Sequence, residues 1–439
     1  MTIPLRQLIL GADLIYCPSG LWNRSKTVAA SLTSETFTWQ EGDHSQTLNL
    51  SDILNVSPSP AAKAVGFIVT ACPLRRRHRW TQVQRRVIET YQFSCSEDLR
   101  SQWLSAFSQL LRTPAKHLVV ILNTTSGRRR GLQLFERVRP LLEAGQIRVT
   151  VAESKNGPQT RQLIQSLNLA EFDGLVVVGG DGTVHDVING LMQRSDAVTA
   201  IQTPIGVIPA GTGNGLCQSL LAQAGEPYDV MSAGFAIAKG HPQPLDILQV
   251  QQDGQLSYGI LSLAWGLISD SDLASDRLRW LGPLRDDICA LLLIARLRAY
   301  PGRLVFEHEG RKQTIEDEFI AVWGMNVPWA ASNMFVAPNA ERAGGQLDLL
   351  MVRRGASRWR LLQAFSQLDT GGHVQFPEVE CYKATHVFLM PQGQSGTLAL
   401  DGELMTYGMA EVKVLLKLGR FLALAAQSSN VHGQEGGSP

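Results

Sequence analysis

The chain has 439 residues, 44% of them hydrophobic and 18% charged, and its formal net charge at pH 7 is +1. These values are typical of a globular protein with a large core in two or three domains, and they exclude a disordered chain. A net charge so near zero provides no global field that attracts nucleic acid, so we expect no nucleic-acid partner.

The cysteines and the apolar segments indicate a cytoplasmic protein. Six cysteines are scattered without a CxxC pair, which argues against a zinc site and against a secreted disulfide scaffold. The first residues, MTIPLRQLILGADLIYCPSG, contain acidic and polar breaks, so we interpret them as a strand and not as a signal peptide. The apolar run ICALLLIA, residues 288–295, is too short for a transmembrane helix, which needs about 20 residues.

Residues 1–112 predict a β-domain that is closed by a C-terminal helix. Strand-like segments such as TVAASLTSETFTW, AVGFIVTAC and RVIETYQFSC are separated by turn-rich gaps. In the segment SEDLRSQWLSAFSQLL, Ser96 has the residue type of an N-cap, and Trp103 and Phe107 belong to one apolar stripe. This order of elements resembles a pleckstrin-homology-like domain, which implies lipid or membrane association.

Six arginines lie in the segment PLRRRHRWTQVQRR, residues 73–86. One interpretation is a solvated loop beside an exposed strand. The other is a patch for anionic lipids at a peripheral membrane surface, where each basic residue contributes about 1 kcal/mol. The residues that would form this patch are Arg75, Arg76, Arg77 and Arg79.

The rest of the chain predicts an α/β lobe followed by a β-rich lobe. Over residues 116–240, strands such as HLVVILN and GLVVVGG alternate with amphipathic helices, which predicts a parallel sheet with crossover helices and the nucleotide site. Residues 241–424 are rich in strands and predict a mostly antiparallel β-sandwich lobe for the lipid substrate, with a helical insert at about 270–300. Residues 425–439 lack core-forming side chains and predict a disordered tail.

The stretch VVVGGDGTVHDVINGLMQR, residues 176–194, places glycines and one acid between a buried strand and a helix. Glycines allow a tight turn and a close approach of the backbone to a ligand, and the free N–H groups of the following helix favour phosphate. Asp181 would repel a nucleotide unless it holds Mg²⁺ or accepts the proton of an attacking hydroxyl. We interpret His185, one turn further on, as a packing or capping residue.

Two more strands end in loops of the same character. ILNTTSG, residues 121–127, and IPAGTGNG, residues 208–215, both follow apolar strands. Three loops rich in Gly, Thr and Asn at one sheet edge predict a phosphate-binding site. The chain contains neither a GxxxxGK[ST] motif nor the protein-kinase motifs.

The pair GGDGT and PAGTGN resembles the diacylglycerol-kinase-type lipid kinases, which include sphingosine and ceramide kinases. Residues 262–285, SLAWGLISDSDLASDRLRWLGPLR, and the element ALDGEL, residues 399–404, are similar to sphingosine (long-chain-base) kinases. The resemblance covers roughly residues 117–424. It implies an ATP- and Mg²⁺-dependent kinase that phosphorylates the primary hydroxyl of a sphingoid base.

The resemblance also implies roles for particular residues. Asp181 would be the catalytic base, and Asp272 would hold the amine or hydroxyl of the lipid head group. The residues implied at the ATP site are Asn123, Ser154, Gly179, Gly180, Gly182, Thr183, Gly211, Thr212, Gly213, Asn214, Arg279, Arg285, Asp401 and Glu403.

Asp401 and Glu403 are also candidate Mg²⁺ ligands. Their i, i+2 spacing would direct both side chains to one side of a strand, where two acids repel each other unless a cation joins them. The alternative is a simple hairpin turn at Asp401-Gly402.

Three rival functions remain at this stage. Ceramide or diacylglycerol kinase activity would share the reaction but would leave the Asp272 carboxylate without a cationic partner. An NAD kinase would leave residues 262–285 and the N-terminal domain unexplained. A catalytically silent lipid-binding scaffold would not need Asp181 together with Asp401 and Glu403.

Overall fold

The computed structural model of the protein describes residues 8–18, 25–60, 65–76, 83–111, 116–125, 130–211, 213–269, 297–393 and 396–426. The helical insert predicted at about 270–300 and the tail predicted at 425–439 lie almost entirely outside the described residues. No described helix has both the length and the apolar composition that crossing a membrane requires.

The N-terminal part of the chain forms antiparallel strands followed by one helix, as predicted. The strands are β1 (Leu8–Cys17), β2 (Lys26–Thr33), β3 (Thr36–Glu41), β4 (His44–Asn49), β5 (Ile53–Pro58), β6 (Gly66–Ala71), β7 (Leu74–Arg76), β8 (Gln84–Arg86) and β9 (Glu89–Ser94), and the helix is α1 (Glu97–Leu111). Seven strands pair in the order β4-β3-β2-β1-β9-β6-β5, and β7 and β8 form a separate hairpin. Helix α1 buries Trp103 and Phe107 against Phe37 and Phe67 of the sheet, which explains why this part has its own core.

The middle of the chain is the predicted alternation of parallel strands and helices. Its elements are β10 (Lys116–Asn123), α2 (Gly131–Ala144), β11 (Ile147–Ser154), α3 (Gly157–Ser166), β12 (Gly174–Gly179), α4 (Asp181–Met192), α5 (Ala197–Ala200), β13 (Ile205–Pro209), α6 (Gly215–Gln223) and α7 (Val230–Lys239). The parallel strands lie in the order β11-β10-β12-β13. The chain therefore changes direction across the sheet between β10 and β12, and the carboxyl ends of these two strands border the crevice where ligands bind in such sheets.

The last part of the chain continues the same sheet with mostly antiparallel strands, as predicted. Its elements are β14 (His241–Gln252), β15 (Gln255–Gly259), β16 (Ser262–Gly266), β17 (Tyr300–His308), β18 (Arg311–Met325), β19 (Trp329–Ala331), β20 (Met334–Phe335), β21 (Leu347–Arg353), α8 (Arg358–Phe365), β22 (Glu380–Ala384), β23 (His386–Pro391), β24 (Leu398–Leu400), β25 (Glu403–Leu404) and β26 (Ala410–Ala423). Strand β26 joins the two regions, because it touches β13 in parallel and pairs with β14 and β23 antiparallel.

The N-terminal sheet docks on the helical face formed by α2 and α7. Arg86 of β8 is only 7% exposed. Its guanidinium forms ion pairs with Asp52 and with Glu226, the latter at 2.5 Å, and lies 3.8 Å from the centre of the Phe235 ring. Lys239 adds a hydrogen bond of 2.8 Å to the carbonyl of Ile53. Since Glu226 and Phe235 belong to the α/β region, Arg86 connects the two parts of the chain.

Replacing Arg86 by methionine should therefore weaken this interface. The methionine keeps the apolar stem but leaves two carboxylates without their cation, so we expect the free energy of unfolding to fall by about 2 kcal/mol. Urea denaturation followed by tryptophan fluorescence measures this change. Arg85→Met is the matched control, because Arg85 is the exposed neighbour on the same strand. Equal stability of both variants would contradict the connecting role of Arg86.

Candidate active site

Two glycine loops meet at the carboxyl edge of the parallel sheet. The loop after β12 and the loop after β13 touch through their backbones, and a Cβ on Gly211 would overlap the Cα of Gly180. The amide of Asp181 donates to the carbonyl of Gly213 at 3.2 Å, and the amide of Ala210 donates to the carbonyl of Gly179 at 2.9 Å. Larger residues would separate these loops, so the glycines keep the N-termini of α4 and α6 side by side.

Asp181 is the first residue of α4, and its carboxylate lies at the N-terminus of α6. Oδ2 accepts a hydrogen bond of 2.7 Å from the amide of Gly215, and Oδ1 accepts one of 3.2 Å from the amide of Leu216. The side chain is buried. Burial raises the pKa of Asp181 to about 7, because the cost of desolvating the charge exceeds the help of the two amides, and the charge of Asp401 adds to the rise. A carboxyl group that titrates near neutral pH is well matched to accepting a proton.

Asn123 and Thr183 connect the two sides of the crevice. Asn123 ends β10, and its Nδ2 donates to the hydroxyl of Thr183 on α4 at 3.4 Å. The Oδ1 of Asn123 accepts a hydrogen bond of 3.0 Å from the amide of Thr125. Gly179 allows this arrangement, because a Cβ at that position would overlap the hydroxyl of Thr183. Both polar side chains thus lie at the carboxyl edge of the parallel sheet, and their contact with a nucleotide stays a prediction.

Ser154 and Asn214 are held more tightly inside the fold. The hydroxyl of Ser154 is buried and lies 2.8 Å from the hydroxyl of Thr160 on α3. The Nδ2 of Asn214 donates to the carbonyl of Gly211 at 2.9 Å and supports the second glycine loop. The hydrogen bond between Ser154 and Thr160 connects β11 to α3. A direct contact of Ser154 with the nucleotide stays a prediction.

Asp401 does not lie on a strand, so the expectation that it and Glu403 project to one side of a strand is wrong. Asp401 and Gly402 form the two-residue turn of the β24–β25 hairpin, with φ of 54° and 83°. Asp-Gly is the sequence that favours such turns, because both central residues need positive φ. The turn directs the two acidic side chains to different surroundings.

The carboxylate of Asp401 is completely buried and fully hydrogen-bonded. It accepts the backbone amides of Ile260, Leu261 and Ser262 at distances of 2.8–3.1 Å. Its Oδ2 also accepts a hydrogen bond of 3.0 Å from Nδ1 of His185. Burial alone would lower the pKa of His185, but the hydrogen bond and charge of Asp401 outweigh it and raise that pKa. The predicted metal-ligand role does not suit Asp401, because four donors already occupy its oxygens.

Glu403 has the exposure that Asp401 lacks. It is exposed, and its Oε1 lies within 2.5 Å of the position that a Cβ on Gly182 would take. This places a carboxylate beside Gly182 in the first turn of α4, where its charge also acts on His185 and Asp186. The described residues contain no group of three or more His, Cys, Asp or Glu side chains that could hold a metal. A magnesium ion could bind at this edge if one or two carboxylates and the phosphates of the substrate were its ligands, as in many kinases.

His185 and Asn189 join α4 to the antiparallel region, and the sequence analysis missed this role. The side chain of Asn189 exchanges hydrogen bonds of 2.8 and 3.0 Å with the backbone of Tyr258. The two residues are four positions apart on α4, and beyond its first turn they are the polar residues among buried Val184, Val187, Ile188 and Leu191. Two polar residues at helical spacing in an apolar helix are the signal that could have found the junction.

A cavity with apolar walls opens in the antiparallel region. Residues that line it include Leu267, Ile320, Trp323, Met351, Leu361 and Phe365. Leu267 and Ile268 in its wall come just before Ser269, after which residues 270–296 lie outside the described part of the chain. Four predicted site residues, Thr212, Asp272, Arg279 and Arg285, lie outside the described residues.

Comparisons with known proteins identify the class and then the family. Residues 117–250 match the diacylglycerol kinase catalytic domain, and residues 262–418 match the YegS C-terminal NAD kinase beta sandwich-like domain. The chain is 32% identical to sphingosine kinase 1 of Arabidopsis thaliana, over 72% of this chain and 75% of the relative. It is 33% identical to human sphingosine kinase 1, over 66% of this chain and 86% of the relative. The chain therefore belongs to the sphingosine kinase family.

A solved structure supports the fold. The crystal structure of a putative diacylglycerol kinase from Bacillus anthracis superimposes with a TM-score of 0.55 at 21% identity. The match covers 70% of this chain and 95% of the bacterial chain. The parallel sheet with its antiparallel extension is thus the fold of diacylglycerol-kinase-type proteins.

Proposed function

We propose that the protein is an ATP-dependent lipid kinase that phosphorylates the primary hydroxyl of sphingosine or a related sphingoid base. The observation that carries this proposal is the Asp181 carboxyl group, which is buried between two helix N-termini and has a pKa of about 7. Family membership supports the reaction class, and the names of the relatives support the free base as acceptor.

In the proposed reaction, Asp181 accepts the proton of the substrate hydroxyl. The hydroxyl oxygen of the substrate then forms a bond to the γ-phosphorus of ATP. The bond between that phosphorus and the bridging oxygen breaks, and ADP leaves. The glycine loops and the positive dipole end of α4 would face the phosphates, whereas the first two amides of α6 hold the Asp181 carboxylate. Positioning by Asn123, Thr183 and the two glycine loops would supply much of the rate enhancement, because phosphoryl transfer needs alignment and charge neutralisation.

Magnesium is part of this proposal, and Glu403 is its best-placed carboxylate. When bound, the ion would neutralise the phosphate charges. The exposed carboxylate of Glu403 beside Gly182 has oxygens that a cation can reach, whereas those of Asp401 are occupied. Arg279 and Arg285, implied by the resemblance, would add positive charge from outside the described residues.

The lipid would occupy the apolar cavity of the antiparallel region. Its walls suit a hydrocarbon chain, and residues 270–296, which include Asp272, continue from Leu267 and Ile268. A carboxylate at Asp272 favours a substrate with a cationic amine over the uncharged ceramide or diacylglycerol.

The N-terminal domain, which we propose to be pleckstrin-homology-like, would assist peripheral association of a cytoplasmic protein with membranes. Its strand order and closing helix are compatible with this assignment. Arg75 and Arg76 are both exposed, and Arg75 pairs with Glu89 at 2.7 Å and donates to Tyr91 at 3.0 Å. Arg77 and Arg79 lie outside the described residues, so the anionic-lipid patch stays a prediction.

Transfer of radiolabelled phosphate from ATP tests the proposed function. The purified protein is offered sphingosine, phytosphingosine, ceramide and diacylglycerol in detergent micelles. We expect labelled product from the two free bases and little from the uncharged lipids, and we expect Asp272→Asn to remove this preference. Efficient transfer to ceramide or diacylglycerol would contradict the head-group argument. No transfer to any lipid would favour the lipid-binding scaffold.

A further inference from the structure

Trp359, the second residue of α8, is the most exposed tryptophan among the large hydrophobic side chains of the described residues. It is 69% exposed, although tryptophan usually buries most of its large apolar surface. It follows Arg358 and precedes Arg360 in the segment RRGASRWR, residues 353–360. An amphipathic aromatic ring beside basic residues is a combination that favours a membrane–water interface.

The opposite side of the same helix forms a wall of the apolar cavity. Leu361, Ala364 and Phe365 line that cavity, and Leu361 and Ala364 are buried. Helix α8 therefore has a side that faces the cavity and an N-terminal turn that exposes Trp359. Only one helix thickness separates the exposed ring from the cavity.

The charges around Trp359 leave one cation available. Arg354 pairs with Glu318, and Arg360 pairs with Glu378 at 3.0 Å. Arg353 pairs with Glu380 at 2.6 Å and with Asp317 at 3.3 Å. Arg358 is exposed and forms no ion pair with any of the described residues. The ring is thus accompanied by a guanidinium that can meet a negative charge outside the protein.

We infer that the N-terminal turn of α8, with Trp359 and Arg358, is a contact surface for an anionic lipid bilayer. This inference rests on the proposed function, because a substrate with a hydrocarbon chain reaches the cavity from a membrane. Trp359 inserts at the level of the lipid head groups, where its amphipathic ring is most stable, and Arg358 meets lipid phosphates or carboxylates. The contact places the outer wall of the cavity against the bilayer that supplies the substrate.

Vesicle sedimentation of the full-length protein tests this contact without any kinase reaction. The vesicles contain phosphatidylcholine with roughly one-fifth phosphatidylserine and no sphingoid base. We expect Trp359→Ala to weaken the partition coefficient about five- to tenfold. We expect Arg358→Gln to weaken it about fivefold in low salt and less in high salt. Val198→Ala is the matched control, because Val198 is 84% exposed on α5 and does not line the cavity, and it should leave partition unchanged.

Three outcomes would overturn the inference. Trp359→Ala could bind vesicles as well as the unmodified protein, or Val198→Ala could weaken binding equally. Light scattering could show that Trp359→Ala changes the oligomeric state, which would assign the ring to an interface between copies of the chain. The micelle assay separates this test from the proposed function, because Trp359→Ala should keep its activity on detergent-dispersed sphingosine. Loss of vesicle binding with normal micellar activity supports the inference, and absence of activity in every protein would contradict the proposed function instead.

Discussion

Replacing Asp181 by asparagine should lower kcat by about 10²–10⁴-fold, the range typical of losing a general base. The amide has almost the same volume but cannot accept the proton of the substrate hydroxyl. The Michaelis constant for ATP should change much less, because the asparagine Oδ1 can still accept from α6 and the glycine loops are joined by their own backbone hydrogen bonds. Single-turnover phosphate transfer to sphingosine measures the chemical step directly.

The pH dependence of the reaction provides a sharper test of Asp181. Because the pKa of its carboxyl group is raised to about 7, the base is mostly protonated below that pH. The value of kcat/KM should rise with pH up to about 7 and then level off. The residual activity of Asp181→Asn should lack this rise. A variant that kept the same acidic limb would show that another group is the base.

The raised pKa of Asp181 also affects stability: activity should rise with pH, whereas the stability contribution of this group should fall. The folded protein holds the Asp181 proton more tightly than the unfolded chain, whose value is near 3.8. The folded state therefore binds more protons between pH 3.8 and about 7, so the contribution of Asp181 to stability falls as pH rises through that window. Asp181→Asn has no such proton, so its stability relative to the unmodified protein should improve from pH 4 to pH 7. Urea denaturation at several pH values measures this difference.

Much of the candidate site could be predicted because its residues follow neighbouring parallel strands. The alternation of strands and helices fixes that β10, β12 and β13 point the same way, so their carboxyl ends share one edge. Asn123, Gly179 and Gly211 come together for that reason. The local pattern of GGDGT also made Asp181 a candidate, since an acid beside a phosphate site needs a chemical task, and its role as the base stays a proposal.

Asp401 could not be placed from its spacing, because its partners are remote in the chain. An i, i+2 pair shares a side only if the strand continues, and the Asp-Gly turn interrupts it. The amides that saturate its carboxylate come from residues about 140 positions earlier, and His185 from 216 positions earlier. The position of Arg86 also depends on a partner remote in the chain. A segment rich in arginine predicts exposure to solvent or lipid, but the ion pair with Glu226 keeps Arg86 buried.

The second large effect is expected at Asp401, and its neighbour Glu403 provides the matched control. Asp401→Asn removes the charge that three amides and His185 share, and the new NH₂ group would face donors. Removal of one partner from a buried pair typically costs about 3–5 kcal/mol in the free energy of unfolding. We expect a loss in that range, together with low activity, because α4 and Asp181 lose their connection to residues 260–262. Glu403→Gln should leave stability unchanged and should raise the Mg²⁺ and ATP concentrations needed for half-maximal rate.

The pH dependence of the stability lost in Asp401→Asn identifies how much of that stability comes from the ion pair with His185. Asp401 raises the pKa of His185 above its usual 6.5. The stabilisation from the charged pair is therefore fully present below pH 6.5 and is lost as pH rises through the raised value. The destabilisation caused by Asp401→Asn should be larger at acidic than at alkaline pH, while the share of the three amides persists throughout. If instead Glu403→Gln destabilised the protein and Asp401→Asn changed only the Mg²⁺ requirement, Asp401 would be the metal ligand and its hydrogen bonds would not hold the two regions together.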